Sequence, residues 1–209
     1  MTKFIAAAKT QAGTNHPVNE DRLLLDGNVL CYGLAGDCER EMGCMAVFDG
    51  VSEGGHGAAA STLAAQAFAQ AVRVFDADTV NALQDRLRMA GERAENDVET
   101  YAARYGLPVA ASTVAGLVVA PDGHGAVFNA AIGLNQGGRN LEVKTTVMLP
   151  GDRYLICSDG IDGQIAQERL QQMLASDSTC AQLCEELYAE ARVNGSTDDA
   201  TLIVIEVGE

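Results

Sequence analysis

Short apolar runs, broken by turn formers, open the chain. Lys3 to Ala8 and Leu23 to Leu34 hold such runs and predict strands. Cys44 to Phe48 is a compact apolar run that stops at Asp49-Gly50, the pattern of a strand closed by a turn. From Gly57 to about Phe75 the spacing changes. Leu63, Phe68, Val72 and Phe75 stand among alanines, which predicts a buried helix. Val80 to about Tyr105 is a second helical stretch, with charges interleaved among Leu83, Leu87, Met89 and Val98, and Pro108 marks its end. Ser112 to Val119, Gly125 to Ile132, Leu141 to Leu149 and Asp152 to Ser158 are rich in β-branched and apolar residues, with Gly, Pro and Asn between them. They predict a meander of antiparallel strands. Gln164 to Leu174 and Cys180 to Val193 return to helical spacing, and Thr201 to Val207 closes the chain as a buried strand. Strands, two helices, strands, two helices and a last strand describe an α+β layered domain, with no linker or internal repeat to divide residues 1–209.

Composition narrows the partners more than the fold. The 209 residues are 47% hydrophobic and 21% charged, which excludes disorder as the default and leaves room for a core. Tryptophan is absent and aromatics are few, so Ala, Val, Leu and Ile must build that core. The formal net charge of −15 disfavours nucleic acid and anionic membranes as partners. No apolar run reaches the roughly 18 residues of a membrane span, and Met1 to Lys9 is too brief for a secretory leader. A cytoplasmic, monomeric protein is expected. The six cysteines form no CxxC pair and no zinc spacing with histidine, so they are expected as reduced thiols. No cysteine is followed by arginine six positions on, so none has an anion cradle for a cysteine nucleophile.

The candidate chemistry lies where predicted strands end. Asn19-Glu20-Asp21 precedes Leu23 to Leu25, and Asp49-Gly50 follows Met45 to Phe48. Asp159-Gly160 follows Tyr154 to Cys157, and Asp198-Asp199 precedes Thr201 to Ile205. One such aspartate alone reads as a turn residue or a helix cap. Four of them, if the strands pair and their ends converge, form a cluster that repels itself unless cations sit within it. Oxygen donors of this kind suit Mg²⁺ or Mn²⁺ better than zinc.

These stretches resemble, in order, the motifs of the metal-dependent type 2C protein phosphatases in their short bacterial form. Asn19-Glu20-Asp21-Arg22 resembles the first motif. Val47-Phe48-Asp49-Gly50, followed by Gly54-Gly55-His56 and Ala60-Ser61, resembles the second. Ala111-Ser112-Thr113 is similar to the element that opens a central strand. The run from Gly151 to Gly160 is similar to the most recognisable motif, and Thr197-Asp198-Asp199-Ala200-Thr201 resembles the last, with Asp199 where Asn is usual.

The resemblance implies two antiparallel β-sheets in a sandwich flanked by helix pairs. It implies a site with two Mn²⁺ or Mg²⁺ ions held by Asp21, Asp49, the Gly50 carbonyl, Asp159 and Asp198, with Glu20 holding metal-bound water. Asp21, Asp49, Asp159 and Asp198 would then be the catalytic set. The reaction implied is hydrolysis of phosphoserine and phosphothreonine by water activated between the metals. The substrate would be a phosphoprotein of a serine/threonine kinase pathway. Three departures stand out. His16 occupies the place of the usual phosphate-gripping arginine, and it reads equally as a phosphate contact or a solvated loop residue. Gly133-Leu134-Asn135-Gln136 lacks the aspartate expected near there, and the chain before Gly151 is short for a flap. They keep a second function open: a degenerate domain that binds a phosphoprotein without turnover. In a third reading the aspartates are only caps and turns. His56 reads as a turn residue that positions the glycine-rich loop, and His124 as part of a hairpin turn.

Overall fold

The computed structural model describes residues 3–14, 17–25, 27–40, 43–51, 55–72, 80–120, 124–134 and 141–208. Two antiparallel sheets stand back to back. The smaller has the strand order β10-β11-β1-β4, made of Arg153–Cys157 (β10), Ala200–Val207 (β11), Phe4–Gln11 (β1) and Gly33–Arg40 (β4). The larger runs β3-β2-β5-β7-β8-β9, through Asn28–Leu30 (β3), Arg22–Leu25 (β2), Gly43–Phe48 (β5), Ala111–Val119 (β7), His124–Ile132 (β8) and Glu142–Val147 (β9). The two-residue strand Gly50–Val51 (β6) pairs with β7.

Alternation along the strands fills three apolar layers. Ala6, Ala8, Ile203, Ile205 and Val207 of the smaller sheet meet Leu23, Leu25, Met45, Val47, Leu117 and Val119 of the larger one between the sheets. Their neighbours one residue away, Ala7, Leu202 and Val204, face the other way, toward Ile161, Leu183, Cys184 and Leu187. Those residues lie on or beside the C-terminal helices Asp159–Asp162 (α3), Gln167–Leu174 (α4) and Cys180–Val193 (α5). The outer face of the larger sheet is covered by Gly57–Val72 (α1) and Val80–Tyr105 (α2). Ala60, Ala64 and Ala67 let α1 lie close to the sheet, and Phe68 pins it. The Phe68 ring stacks on Phe128 at 5.4 Å and meets the edge of Phe48 at 5.5 Å. Gly116 makes this possible, because a Cβ there would overlap the Phe128 ring.

The layered α+β sandwich agrees with the sequence, and several element readings need correction. The strand Arg153–Cys157 leaves the expected meander and joins Ala200–Val207 in the other sheet. The runs from Leu23 to Leu34 are β2, β3 and the start of β4. The polar remainder of β4, Gly36 to Arg40, carries no apolar alternation. It is a strand because β1 offers it a hydrogen-bonding edge. The expected helix Gln164 to Leu174 starts at Gln167, after a one-turn helix beginning at Asp159. His124 is the first residue of β8. None of the six cysteines is joined in a disulfide.

Candidate metal centre

Each sheet delivers its acidic residues at one end. The pairing of β2 with β5 runs to Arg22 opposite Phe48, so Asp21 and Asp49 stand one step beyond. The pairing of β10 with β11 runs to Cys157 opposite Leu202, and Ser158 then bonds its N–H to the Thr201 carbonyl at 2.9 Å. Asp159 begins α3 immediately after, and Asp198 precedes β11. The two ends meet through close backbone packing. A Cβ on Gly50 would strike the carbonyls of Gly57 and Glu20, and one on Gly160 would strike the carbonyl of Asp199. Asp49 is anchored to the central strand, its carbonyl accepting the Thr113 N–H at 2.8 Å.

A buried polar relay fixes Asp21, which is 1% exposed. Ser158 Oγ donates to Asp21 Oδ2 at 2.7 Å and accepts the Thr201 N–H at 3.1 Å. Asn19 Nδ2 donates to Thr10 Oγ1 at 2.9 Å and to the Cys31 carbonyl at 2.8 Å, while Asn19 Oδ1 accepts the Asp21 N–H at 2.9 Å. Thr10 and Thr201 share a hydroxyl bond of 2.7 Å, and the Thr201 hydroxyl in turn bonds Asp21. Every member is satisfied within protein, as a buried polar group must be. Glu20 is buried too, with Oε2 against Gly57 at the first residue of α1, where a carboxylate meets the positive end of the helix.

The aspartates feel one another. Burial pushes the Asp49 carboxyl up to about 7, and Asp21, Asp159, Asp198 and Asp199 add repulsion. Burial also raises Asp21 to about 6; hydrogen bonds from Ser158 and Thr201 oppose the rise, and Asp199 and Asp198 add to it. Asp159 is raised by burial, then by Asp198 and Asp162. Carboxylates from four separate parts of the chain therefore stand within electrostatic reach at one end of the sandwich. Among the described residues, no three His, Cys, Asp or Glu side chains converge closely enough to grip an ion as they stand. The donor set is nonetheless one that fits a hard divalent cation: oxygen only, anionic, and destabilised by its own charge.

His16 lies outside the described residues, as do Asn135 and Gln136. Arg22 is committed to structure, with Nε on Thr62 Oγ1 at 2.8 Å and further bonds to the carbonyls of Asn19, Asp21 and Ala58. The His56 carbonyl caps the start of α1, and its Nδ1 lies 2.9 Å from the Tyr101 hydroxyl of α2. Sequence reasoning missed the supporting roles of Thr10, Ser158 and Thr201, and of Ser61, whose Oγ donates to the Glu20 carbonyl. It also missed Arg192, which bonds the Asp198 carbonyl at 2.7 Å. The departure of Asp199 from the expected Asn was visible; its partners were not.

This is the type 2C phosphatase fold: two antiparallel sheets between helix layers, with acidic residues at one end of the sandwich. The catalytic domain of the serine/threonine protein phosphatase PstP, in complex with two manganese ions, is similar over 100% of both chains, with a TM-score of 0.78 at 18% identity. A serine/threonine phosphatase of S. agalactiae covers 99% of this chain and 100% of its own, with a TM-score of 0.79 at 11% identity. PppA, a key regulatory component of T6SS in Pseudomonas aeruginosa, covers 98% and 97%, with a TM-score of 0.76 at 18% identity. No protein-family model and no curated protein matches the chain.

Proposed function

We propose that residues 1–209 act as one metal-dependent phosphatase domain that hydrolyses phosphoserine and phosphothreonine in proteins. The observation that carries this is the mutual repulsion of Asp21, Asp49, Asp159 and Asp198, brought to one place from both sheets. Evolution of a stable fold does not favour such a cluster unless something positive neutralises it. Asp21, Asp49, the Gly50 carbonyl, Asp159 and Asp198 would hold two Mn²⁺ or Mg²⁺ ions, as a fold neighbour holds two manganese ions. Bound there, the cations would supply Lewis acidity and offset charge on the phosphoryl oxygens during attack by water. The chain's own work is to orient the carboxylates. Ser158 and Thr201 fix the Asp21 side chain, Thr113 fixes the Asp49 backbone, and Arg192 fixes the Asp198 backbone. Glu20, held at the start of α1, would orient water at the rim of the site, and His16 would contact phosphate.

The test is phosphate release from p-nitrophenyl phosphate and a phosphothreonine peptide in Mn²⁺, in Mg²⁺ and in EDTA, beside the Asp159→Asn variant. Release that needs metal and falls at least a hundredfold in the variant supports the reading; release that persists in EDTA sinks it. A second reading is a phosphoprotein-binding domain without turnover. It is favoured by the absence, among the described residues, of three side chains that close on one point, and by a fold neighbour described as a regulatory component. Phosphopeptide binding with no release in Mn²⁺ would select it.

A further inference from the structure

We infer that Asp199 is a positioning residue, whose two carboxylate oxygens clamp the neck of the 13–20 loop and so set where Glu20 and Asp21 stand for cation binding. The inference rests on the reading of the site as a cation centre. Asp199 is 4% exposed. Its Oδ1 accepts the Gly13 N–H at 2.8 Å and its Oδ2 accepts the Glu20 N–H at 2.6 Å. One carboxylate therefore holds both ends of an eight-residue segment, the last of which carries a candidate site side chain.

Three further contacts place the clamp where it can work. The Thr14 N–H bonds the Thr197 carbonyl at 2.8 Å. A Cβ on Gly13 would overlap the carbonyls of Thr197 and Asp198, so the neck lies directly on the segment that supplies Asp198. The Asp199 N–H bonds Asp198 Oδ1 at 2.9 Å, so clamp and candidate ligand are tied to each other as well. Motifs from the two ends of the chain are thereby locked into one rigid wall of the site.

The chemistry asks for Asp rather than Asn. Two backbone donors from two segments arrive at two different oxygens. An amide presents one acceptor and one donor, so its NH₂ would face an N–H and one bond would be replaced by repulsion. Bonds from backbone N–H to a carboxylate are also the stronger kind.

The experiment combines amide hydrogen exchange with Mn²⁺ titration, on the full chain and on Asp199→Asn. In metal-free wild type, the Gly13 and Glu20 amides should be protected from exchange. In the variant at least one of the two should exchange about tenfold faster or more, the scale of a lost charge-assisted bond, while the Ser158 amide, bonded to Thr201, keeps its rate. The Mn²⁺ Kd should rise by about the same factor. Wild-type Gly13 and Glu20 amides that exchange at free-peptide rates would overturn the clamp without any variant. Unchanged exchange in Asp199→Asn would overturn it too, and so would released amides with an unchanged Mn²⁺ Kd. If wild type binds no Mn²⁺ while the amides behave as expected, the cation reading fails and the positioning role fails with it; the exchange data, which need no metal, separate that result from failure of the clamp.

Discussion

Asp49 shows how a single side chain carries both a liability and a use. Its folded-state carboxyl sits at about 7, above the 3.8 of the unfolded chain, chiefly because it is buried. Asp21 shifts in the same direction, to about 6. Between these limits the folded state keeps protons that the unfolded state has already lost. The stability tied to them is fully present below about pH 4 and is lost as pH rises through about 6 to 7. Metal-free protein should therefore melt at a lower temperature at pH 8 than at pH 5.5. Asp49→Asn should flatten that dependence and raise the pH 8 melting temperature in EDTA. Equal melting temperatures for the two proteins at pH 8 would contradict the assignment. The thiols give a second residue-scale check. Burial pushes Cys157 and Cys184 up to about 12 and Cys180 to about 11. All three should resist a colorimetric thiol reagent at pH 8 in native protein, while exposed Cys38 reacts at once and denaturant opens all six. What the sequence made legible at this scale was the acidic residue at each strand end. What it hid was the shell, since Thr10, Asn19, Ser158 and Thr201 are ordinary polar residues whose partners lie up to 191 positions away.

At the scale of elements, periodicity worked where an element buries one face in a continuous layer. The helix Val80–Tyr105 and the strand Ala200–Val207 follow the apolar spacing closely, because each meets a core along its whole length. It failed where an element owes its form to a neighbour. Gly36 to Arg40 is polar and lies at a sheet edge, and its pairing with β1 is interrupted by a register shift between Ala6 and Ala8. The destination of β10 was also hidden, because strand pattern does not say which sheet a strand joins. Two substitutions should separate packing from capping. Phe68→Ala removes a fully buried ring between Phe48 and Phe128 and should cost about 3–5 kcal/mol in urea unfolding. Thr179→Ala removes the N-cap of α5, with its reciprocal bonds to Gln182, and should cost about 1 kcal/mol. A Phe68→Ala cost no larger than that of Thr179→Ala would contradict the place given to Phe68 in the core.

For the whole molecule, the arrangement separates stability from chemistry. Three apolar layers hold two sheets whose strands simply run out at one end, and the acidic residues occupy that end. Among the described residues no helix is long and apolar enough to cross a membrane. On the proposed reading a bound cation would offset the cost of the acidic end, since a ligand held only by the folded state raises its melting temperature. The order of motifs along the chain made this end recognisable before the structure did. The sequence could not show that the strand ends converge, because convergence depends on pairings such as β1 with β11, which join the first and last strands. We propose that Asp21, Asp49, Asp159 and Asp198 hold divalent cations for phosphate release. The most direct test is the rate of phosphate release from a phosphothreonine peptide across an Mn²⁺ titration, for wild type and Asp49→Asn. Saturable activation by Mn²⁺ is expected in wild type, with none in EDTA and a loss of at least a hundredfold in the variant at every concentration. Equal rates in the two proteins, or wild-type release that ignores Mn²⁺, would contradict it.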